Sequence, residues 1–372
     1  MDRPAFSIAL MQELLRSMPN WYGSDNWDSE VFGSYKPSLK SLLLTKFNES
    51  FSRRKFTIFP KHIDAQIQKI SSIESSLADL SSVYDLLEDE PSKSTLVKLI
   101  SYRIMGNNKV KLPVNTDSYW LERKAPRSLI SSKDTVKIKF NDWVLEHFAL
   151  EKVGYPIELY TVSGGVHIIF MLKQYEYGKR RPAIKAQAGD YVIDAGGGWG
   201  DTALYFAHEV GPLGKVYTFE FAPDNLEVLD RNIKLNVELS KRIKVLQKAL
   251  WHESGREIVY SAQGPATTLN NNKEGPLHVM TLSIDDFVKE EKLPRVDYIK
   301  MDIEGAELSA LRGAEETIGA FKPKLAISAY HKPNDLTVIP RYLNDLGLGY
   351  EFFLDHFTVY EGETVLFANP KI

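Results

Sequence analysis

Three side chains late in the chain, Asp302, Glu304 and His331, combine two carboxylates with an imidazole, a set suited to taking a proton from a hydroxyl. Asp302 closes the apolar run Val296-Asp-Tyr-Ile-Lys-Met301, and Glu304 follows within Asp302-Ile-Glu-Gly-Ala-Glu307. Side chains alternate along a strand, so Lys300 and Asp302 share a direction, and Asp302 emerges where an open α/β sheet places its ligand crevice. Glu304 and Glu307 fall at the start of the next helix, where acids also serve capping and the dipole. His331 comes just past another strand, Lys324 to Ala329, and of the eight histidines it alone is so placed. Its free pKa suits proton removal near neutrality. Asp302, Glu304 and His331 are the catalytic candidates. The same oxygen-rich set could hold magnesium, but no metal is assigned.

A second cluster, Asp190-Tyr-Val-Ile-Asp-Ala-Gly-Gly-Gly-Trp-Gly-Asp-Thr202, reads as a strand, a tight glycine turn and a helix start. Such a turn lets backbone approach a nucleotide closely. A dinucleotide fold spaces its glycines G-x-G-x-x-G and rests the pyrophosphate on the helix N-terminus. Here the third glycine arrives one residue early and Asp201 takes its place. Asp194 would add another carboxylate beside the phosphates, whereas the ammonium and sulfonium of S-adenosylmethionine (SAM) are attracted to it. Glu220 ends the next strand, Val216 to Glu220, where a carboxylate can accept two hydrogen bonds from ribose hydroxyls. Gln247 opens the loop after the third strand, beside the expected adenine. The expected cofactor set is therefore Asp194, Gly196, Gly198, Gly200, Thr202, Glu220, Gln247 and Asp302, with Asp194 and the glycine-loop carbonyls at the amino-acid end of SAM. Trp199 is expected to pack rather than to face the sulfonium, and Tyr175 either packs under the sheet or edges the cofactor.

The elements that must position these residues follow from length and pattern. With 372 residues and 43% hydrophobic content, one α/β domain plus a second region is expected. The net charge of −3 and the absence of a sustained basic block argue against nucleic acid, as does the lack of an Asp/Asn-Pro-Pro-aromatic tetrad. The absence of cysteine excludes disulfides, thiolate-bound zinc, iron–sulfur clusters and a thiol nucleophile. Neither a secretory signal nor a spanning segment is read, so a soluble, cytoplasmic protein is expected.

Residues 1–115 read as mainly helical. Ile8, Met11, Leu14 and Leu15 recur at helical spacing, as do Leu77, Leu80, Val83, Leu86 and Leu87, and a third helix spans Ser94 to Met105. This region is expected to cap the protein or to support a homo-oligomer. Residues 116–180 form a transition with strands near Val136 to Phe140 and Ile157 to Val162, then the segment His167 to Tyr177. Residues 181–372 alternate strand and helix as a mostly parallel sheet covered on both faces, including a single helix Glu307 to Phe321. The Asn-rich stretch Thr267 to Glu274 reads as a mobile loop. Strands at Tyr350 to His356 and Thr364 to Phe367, joined at Glu361-Gly362, close the sheet as an antiparallel hairpin.

The runs VIDAGGGWGDT and VYTFEF, Asn225 and Asn232 beyond them, ALWHESG, IKMDIEGAE and the late His331 together resemble the FkbM family of SAM-dependent methyltransferases, over roughly residues 155 to 370. The resemblance implies a class I, Rossmann-like methyltransferase fold with a seven-stranded sheet. It also implies methylation of a hydroxyl on a sugar or glycan, or on a polyketide-type natural product. A nitrogen nucleophile on a peptide or small molecule, and a non-catalytic SAM-binding scaffold, stay open. The expected reaction is in-line displacement at the cofactor's methyl, with Asp302 or His331 taking the proton.

Overall fold

The computed structural model describes residues 5–36, 76–138, 143–260, 269–270 and 277–371. The expected loop over Thr267 to Glu274 lies outside these residues except for the two-residue strand Leu269–Asn270, as do the last two positions of the strand expected at Val136 to Phe140. The chain divides into two compact units: Met1–Thr116 with Thr358–Gly362, and Asp117–Phe357 with Glu363–Ile372.

In the first unit, helix α1 (Ala5–Ser17) packs beside α2 (Leu77–Leu86) and α3 (Glu90–Met105). Asp89 caps α3 by accepting from the Ser92 amide, Pro91 occupies its first turn, and Gly106 ends it at φ 79°. The expected helix forms at α1 but buries a different face. Phe6 and Leu10 are inside, whereas Ile8, Met11 and Leu15 are exposed. Apolar residues lie on both sides of this helix, so periodicity alone does not choose between them.

The second unit begins with α4 (Asp117–Lys124) and a small antiparallel sheet of β1 (Ile130–Lys137), β2 (Val144–Ala149) and β3 (Glu158–Thr161). A π-helix at Val166–Met171 follows, inside the segment expected to run beneath the sheet. The main sheet then builds through β4 (Tyr191–Ala195), α5 (Asp201–Val210), β5 (Lys215–Phe219), α6 (Pro223–Leu235) and β6 (Ile243–Leu246). A side sheet holds β7 (Ala249–Leu250), β8 (Glu257–Tyr260), β9 (Leu269–Asn270) and β10 (Leu277–Leu282), before α7 (Ile284–Glu290) and β11 (Tyr298–Met301) return to the main one. Next come α8 (Glu307–Arg312), α9 (Glu315–Phe321), β12 (Lys324–Ser328), α10 (Asp335–Asp345), β13 (Tyr350–His356) and β14 (Thr364–Pro370).

The main sheet has seven strands in the order β13-β14-β12-β11-β4-β5-β6. Only β14 runs antiparallel, paired on one side with β12 and on the other with β13. The closing hairpin therefore inserts its last strand into the sheet and leaves β13 at the edge. The central strands are apolar on both faces because helices cover both: Val192, Ile193, Ile299, Leu325 and Ile327 are all inaccessible. An aromatic seam of Phe170, Tyr175, Tyr177, Tyr205, Phe206, Tyr298 and Phe367 fills one side. The single helix expected over Glu307 to Phe321 is broken at Gly313. The Trp251 carbonyl approaches there so closely that a Cβ would collide with it, and the Gly313 carbonyl accepts the Asp285 amide rather than continuing the helix.

Candidate active site

At the carboxyl ends of β11 and β12 the structure gathers Asp302, Glu304 and His331. The imidazole, 7% exposed, has Nδ1 2.8 Å from Glu307 Oε1 and Nε2 3.3 Å from Asp302 Oδ1 and 3.6 Å from Glu304 Oε2. The Asp302 contact is an ion pair without the alignment of a hydrogen bond. Glu307 is itself fixed, since its Oε1 accepts from the Ile303 and Gly305 amides. Glu307 makes no side-chain cap on α8; it ties down the preceding Ile303–Gly305 loop while it orients the ring.

Charge follows from this arrangement. Burial alone would lower the His331 pKa, but the Asp302 and Glu307 carboxylates more than reverse this and push it up to about 11. The neighbouring carboxylates thus favour the charged form of the ring, which suits His331 to holding Asp302 more than to serving as a free base near neutrality. Burial would raise Asp302, but His331, Lys300 and the Tyr175 hydroxyl hold it well below the usual carboxylate range. Glu304, in a left-handed backbone at φ 54°, is pushed up to about 7 by burial, with Asp302 and Glu307 adding to the rise. The ligand atoms of Asp302, Glu304 and His331 all lie within 4.8 Å of one another. The protonated ring is itself the cation among these acids.

Tyr175 belongs to the same site. Its hydroxyl donates to Asp302 Oδ2 at 2.9 Å, and its ring lies 5.3 Å from Lys300 Nζ. Tyr298 secures it by donating to the Tyr175 carbonyl. On the other side of Asp302, the Tyr330 hydroxyl lies 3.4 Å from Oδ1 and 3.3 Å from Glu363 Oε2. Glu363 also accepts from Gln174 Nε2 at 2.5 Å. Gln174, Tyr330 and Glu363 are absent from the sequence-derived site. The only sequence signal was adjacency, of Gln174 to Tyr175 and of Tyr330 to His331.

The glycine turn lies at the end of β4, beside Asp302. A Cβ at Gly196 would run into the Asp302 carbonyl, so this glycine permits the two strand ends to close on each other. Gly198, at φ 49°, has nothing within 4 Å of its Cβ direction, and its backbone hydrogen-bonds the Glu220 carboxylate. Gly200 starts α5 at φ 85°. Asp201 follows at the helix start, where burial pushes its carboxyl up to about 6. A helix that begins with its own acid is a poor phosphate seat.

Asp194 and Thr202 do not line that space. Asp194 is inaccessible, and its oxygens accept from the hydroxyls of Thr202 and Thr218 and pair with Lys300 Nζ at 3.1 Å. The register that sets Lys300 opposite Asp194 places the two charges side by side, and a buried carboxylate requires such a countercharge. Lys300 Nζ also donates to the Ala195 and Gly196 carbonyls. The pair therefore braces the turn from behind rather than facing the ammonium of SAM. Glu220, after β5, is held by the Phe221 and Ala222 amides and by Asn225, and burial raises its pKa. Gln247 is exposed beyond β6. Trp199 packs with Ile138, Leu145, Tyr160 and Val228, and Asn232 ties its carbonyl to the backbone of Tyr160.

Among the described residues no helix is long and apolar enough to cross a membrane. Residues 184–352 match the methyltransferase FkbM domain. Methyltransferase sdnD of Sordaria araneosa is 29% identical over 190 residues, 42% of this chain and 73% of that protein. The 2-O-methyltransferase NoeI of Sinorhizobium fredii (strain NBRC 101917 / NGR234) is 30% identical over 113 residues, 29% of this chain and 42% of NoeI. The crystal structure of methyltransferase FkbM from Methylobacillus flagellatus KT aligns with a TM-score of 0.52 at 19% identity, over 80% of this chain and 60% of that one. The chain thus spans less than two thirds of the last two proteins. The strand order, with its one antiparallel insertion, is that of the class I methyltransferase fold. Residues 184–352 thus carry a methyltransferase FkbM domain, and over them the chain is similar to FkbM methyltransferases.

Proposed function

We propose that the protein transfers the methyl group of SAM to a hydroxyl of a sugar, a glycan or a polyketide-type natural product. The observation that carries this reading is the buried Asp302–His331–Glu307 array beside the glycine turn at Gly198. The printed name of NoeI, a 2-O-methyltransferase, supports oxygen over nitrogen as the nucleophile. SAM would supply the methyl as an electrophile, with the Gly198 turn at its amino-acid end, Glu220 toward the ribose and Gln247 toward the adenine.

The residues of the chain would act on the acceptor. Asp302, kept ionised by His331, Lys300 and Tyr175, receives the hydroxyl proton as oxygen attacks carbon. His331 keeps Asp302 in place through its own anchor on Glu307, and Glu304 offers a second carboxyl to the acceptor. Most of the rate would come from alignment of oxygen and methyl carbon in a site with little water. No metal is assigned, because the imidazolium supplies the positive charge among these acids; turnover that survives chelation checks this.

Calorimetry with SAM and S-adenosylhomocysteine, then mass spectrometry of a panel of glycosides, polyketide-type alcohols and amines, tests the reading. The expected result is micromolar-class SAM binding and methyl ether products. Absence of SAM binding, or methyl transfer to amines alone, overturns it.

A further inference from the structure

Tyr330 carries one phenolic proton yet faces two carboxyl groups at similar distance, 3.4 Å to Asp302 Oδ1 and 3.3 Å to Glu363 Oε2. One O–H donates to one acceptor at a time, so both contacts are satisfied only when one carboxyl holds a proton of its own. Glu363 is placed for that state. It immediately precedes β14 in a left-handed backbone at φ 61°, a conformation unfavourable for a residue with a Cβ. The turn nevertheless directs its carboxyl inward, where Gln174, 2% exposed, pins Oε2.

We infer that Tyr330 and Glu363 form a proton relay behind Asp302, which clears the reaction proton from the catalytic carboxylate after each methyl transfer. The inference rests on the hydroxyl-methylation reading. In that reaction the acceptor oxygen forms a bond to the methyl carbon. The carbon–sulfur bond breaks with its electron pair left on sulfur, and the hydroxyl proton goes to Asp302. Asp302 then passes a proton to the Tyr330 oxygen as Tyr330 releases its own to Glu363, which restores the Asp302 carboxylate; Glu363, only partly buried, gives the proton up to water before the next turnover. The direction is downhill. Burial and the charge of Asp302 push Glu363 up to about 7, whereas Asp302 is held far lower. The groups facing Glu363 are Gln174, Tyr330, Asp302, His331, Tyr175 and Glu304. Glu363 acts through Asp302 and is a positioning residue.

Infrared difference spectra of the full chain, wild type minus Glu363→Gln, across roughly pH 5 to 9 test the relay without any acceptor. A protonated-carboxyl band that titrates near neutrality is expected in wild type. The part of it that belongs to Glu363 should be lost in Glu363→Gln and shift in Tyr330→Phe, while Glu304→Gln removes only its own part and leaves a titrating band behind. With a glycoside that wild type methylates, Glu363→Gln and Tyr330→Phe should each lower kcat about tenfold, leave the KM for SAM unchanged and move the acid limb of the pH profile. The double variant should be no slower than either single one. A Glu363 that is ionised throughout, or variants with wild-type turnover and pH profile, overturn the relay. A lower melting temperature with band and profile unmoved makes Glu363 a turn residue only and also overturns it. If wild type binds no SAM or methylates no hydroxyl while the band is present, the underlying reading fails, and the relay with it.

Discussion

His331 Nδ1 meets Glu307 Oε1 at 2.8 Å, and that same oxygen accepts the Ile303 and Gly305 amides of the loop that leads into α8. The ring's orientation is therefore set by the helix start and not by a surface contact. Glu307→Gln keeps an acceptor for these loop amides but removes the charge. The His331 pKa should fall by about 1–3 units. Nitrogen-15 NMR of the imidazole reads this directly, and SAM binding should be unaffected.

Stability should decline as pH rises from mildly acidic to mildly basic. Burial pushes Glu304 and Glu363 up to about 7 and Asp201 up to about 6. Their folded forms hold protons that the unfolded chain gives up at ordinary carboxylate values, so each favours folding below its folded pKa and loses that advantage above it. His331, up at about 11, contributes fully below its unfolded value near neutrality and progressively less above. Asp302 acts in the opposite sense, and only in strong acid. Each group contributes at most ~1.4 kcal/mol per pH unit within its window. Calorimetric melting curves of wild type and of Glu304→Gln should diverge between roughly pH 5 and 7, with the variant less pH-dependent.

The parallel sheet was legible because strands buried on both faces read as apolar runs, as Tyr191 to Ile193 and Leu325 to Ile327 do. Asp302, Glu304 and His331 were legible from their places at strand ends. The burial of Asp194 was not, because it depends on the register with Lys300, although a lysine inside the run Tyr-Ile-Lys-Met was a signal that a buried acid stood near it. Glu363 was invisible for a different reason. Its partner Gln174 is 189 residues away, and only the insertion of β14 beside β12 brings Glu363 to the site.

Lys300 and Asp194 are 1% and 0% exposed, so removal of either charge strands the other. Lys300→Met should destabilise the protein by about 3–5 kcal/mol. Lys300→Met with Asp194→Asn should recover a large part of that loss, because no buried charge is then left without a partner. Urea denaturation of the two variants measures the difference; an equally large loss in both would show that packing around Lys300, and not charge, sets the cost.

Two glycines of one turn should respond to the same substitution in opposite ways. A Cβ at Gly196 collides with the Asp302 carbonyl and forces apart the ends of β4 and β11, so Gly196→Ala should lower the melting temperature sharply or prevent folding. A Cβ at Gly198 meets nothing within 4 Å, and the left-handed φ of 49° costs alanine only about 1–2 kcal/mol. Gly198→Ala should therefore fold, yet place a methyl group in the space proposed for SAM. Its calorimetric affinity for S-adenosylhomocysteine should fall at least about tenfold, a loss near 1.4 kcal/mol. If Gly198→Ala binds as wild type does, the open space beside Gly198 is not where the cofactor rests, and the cofactor assignments of Glu220 and Gln247 lose their anchor.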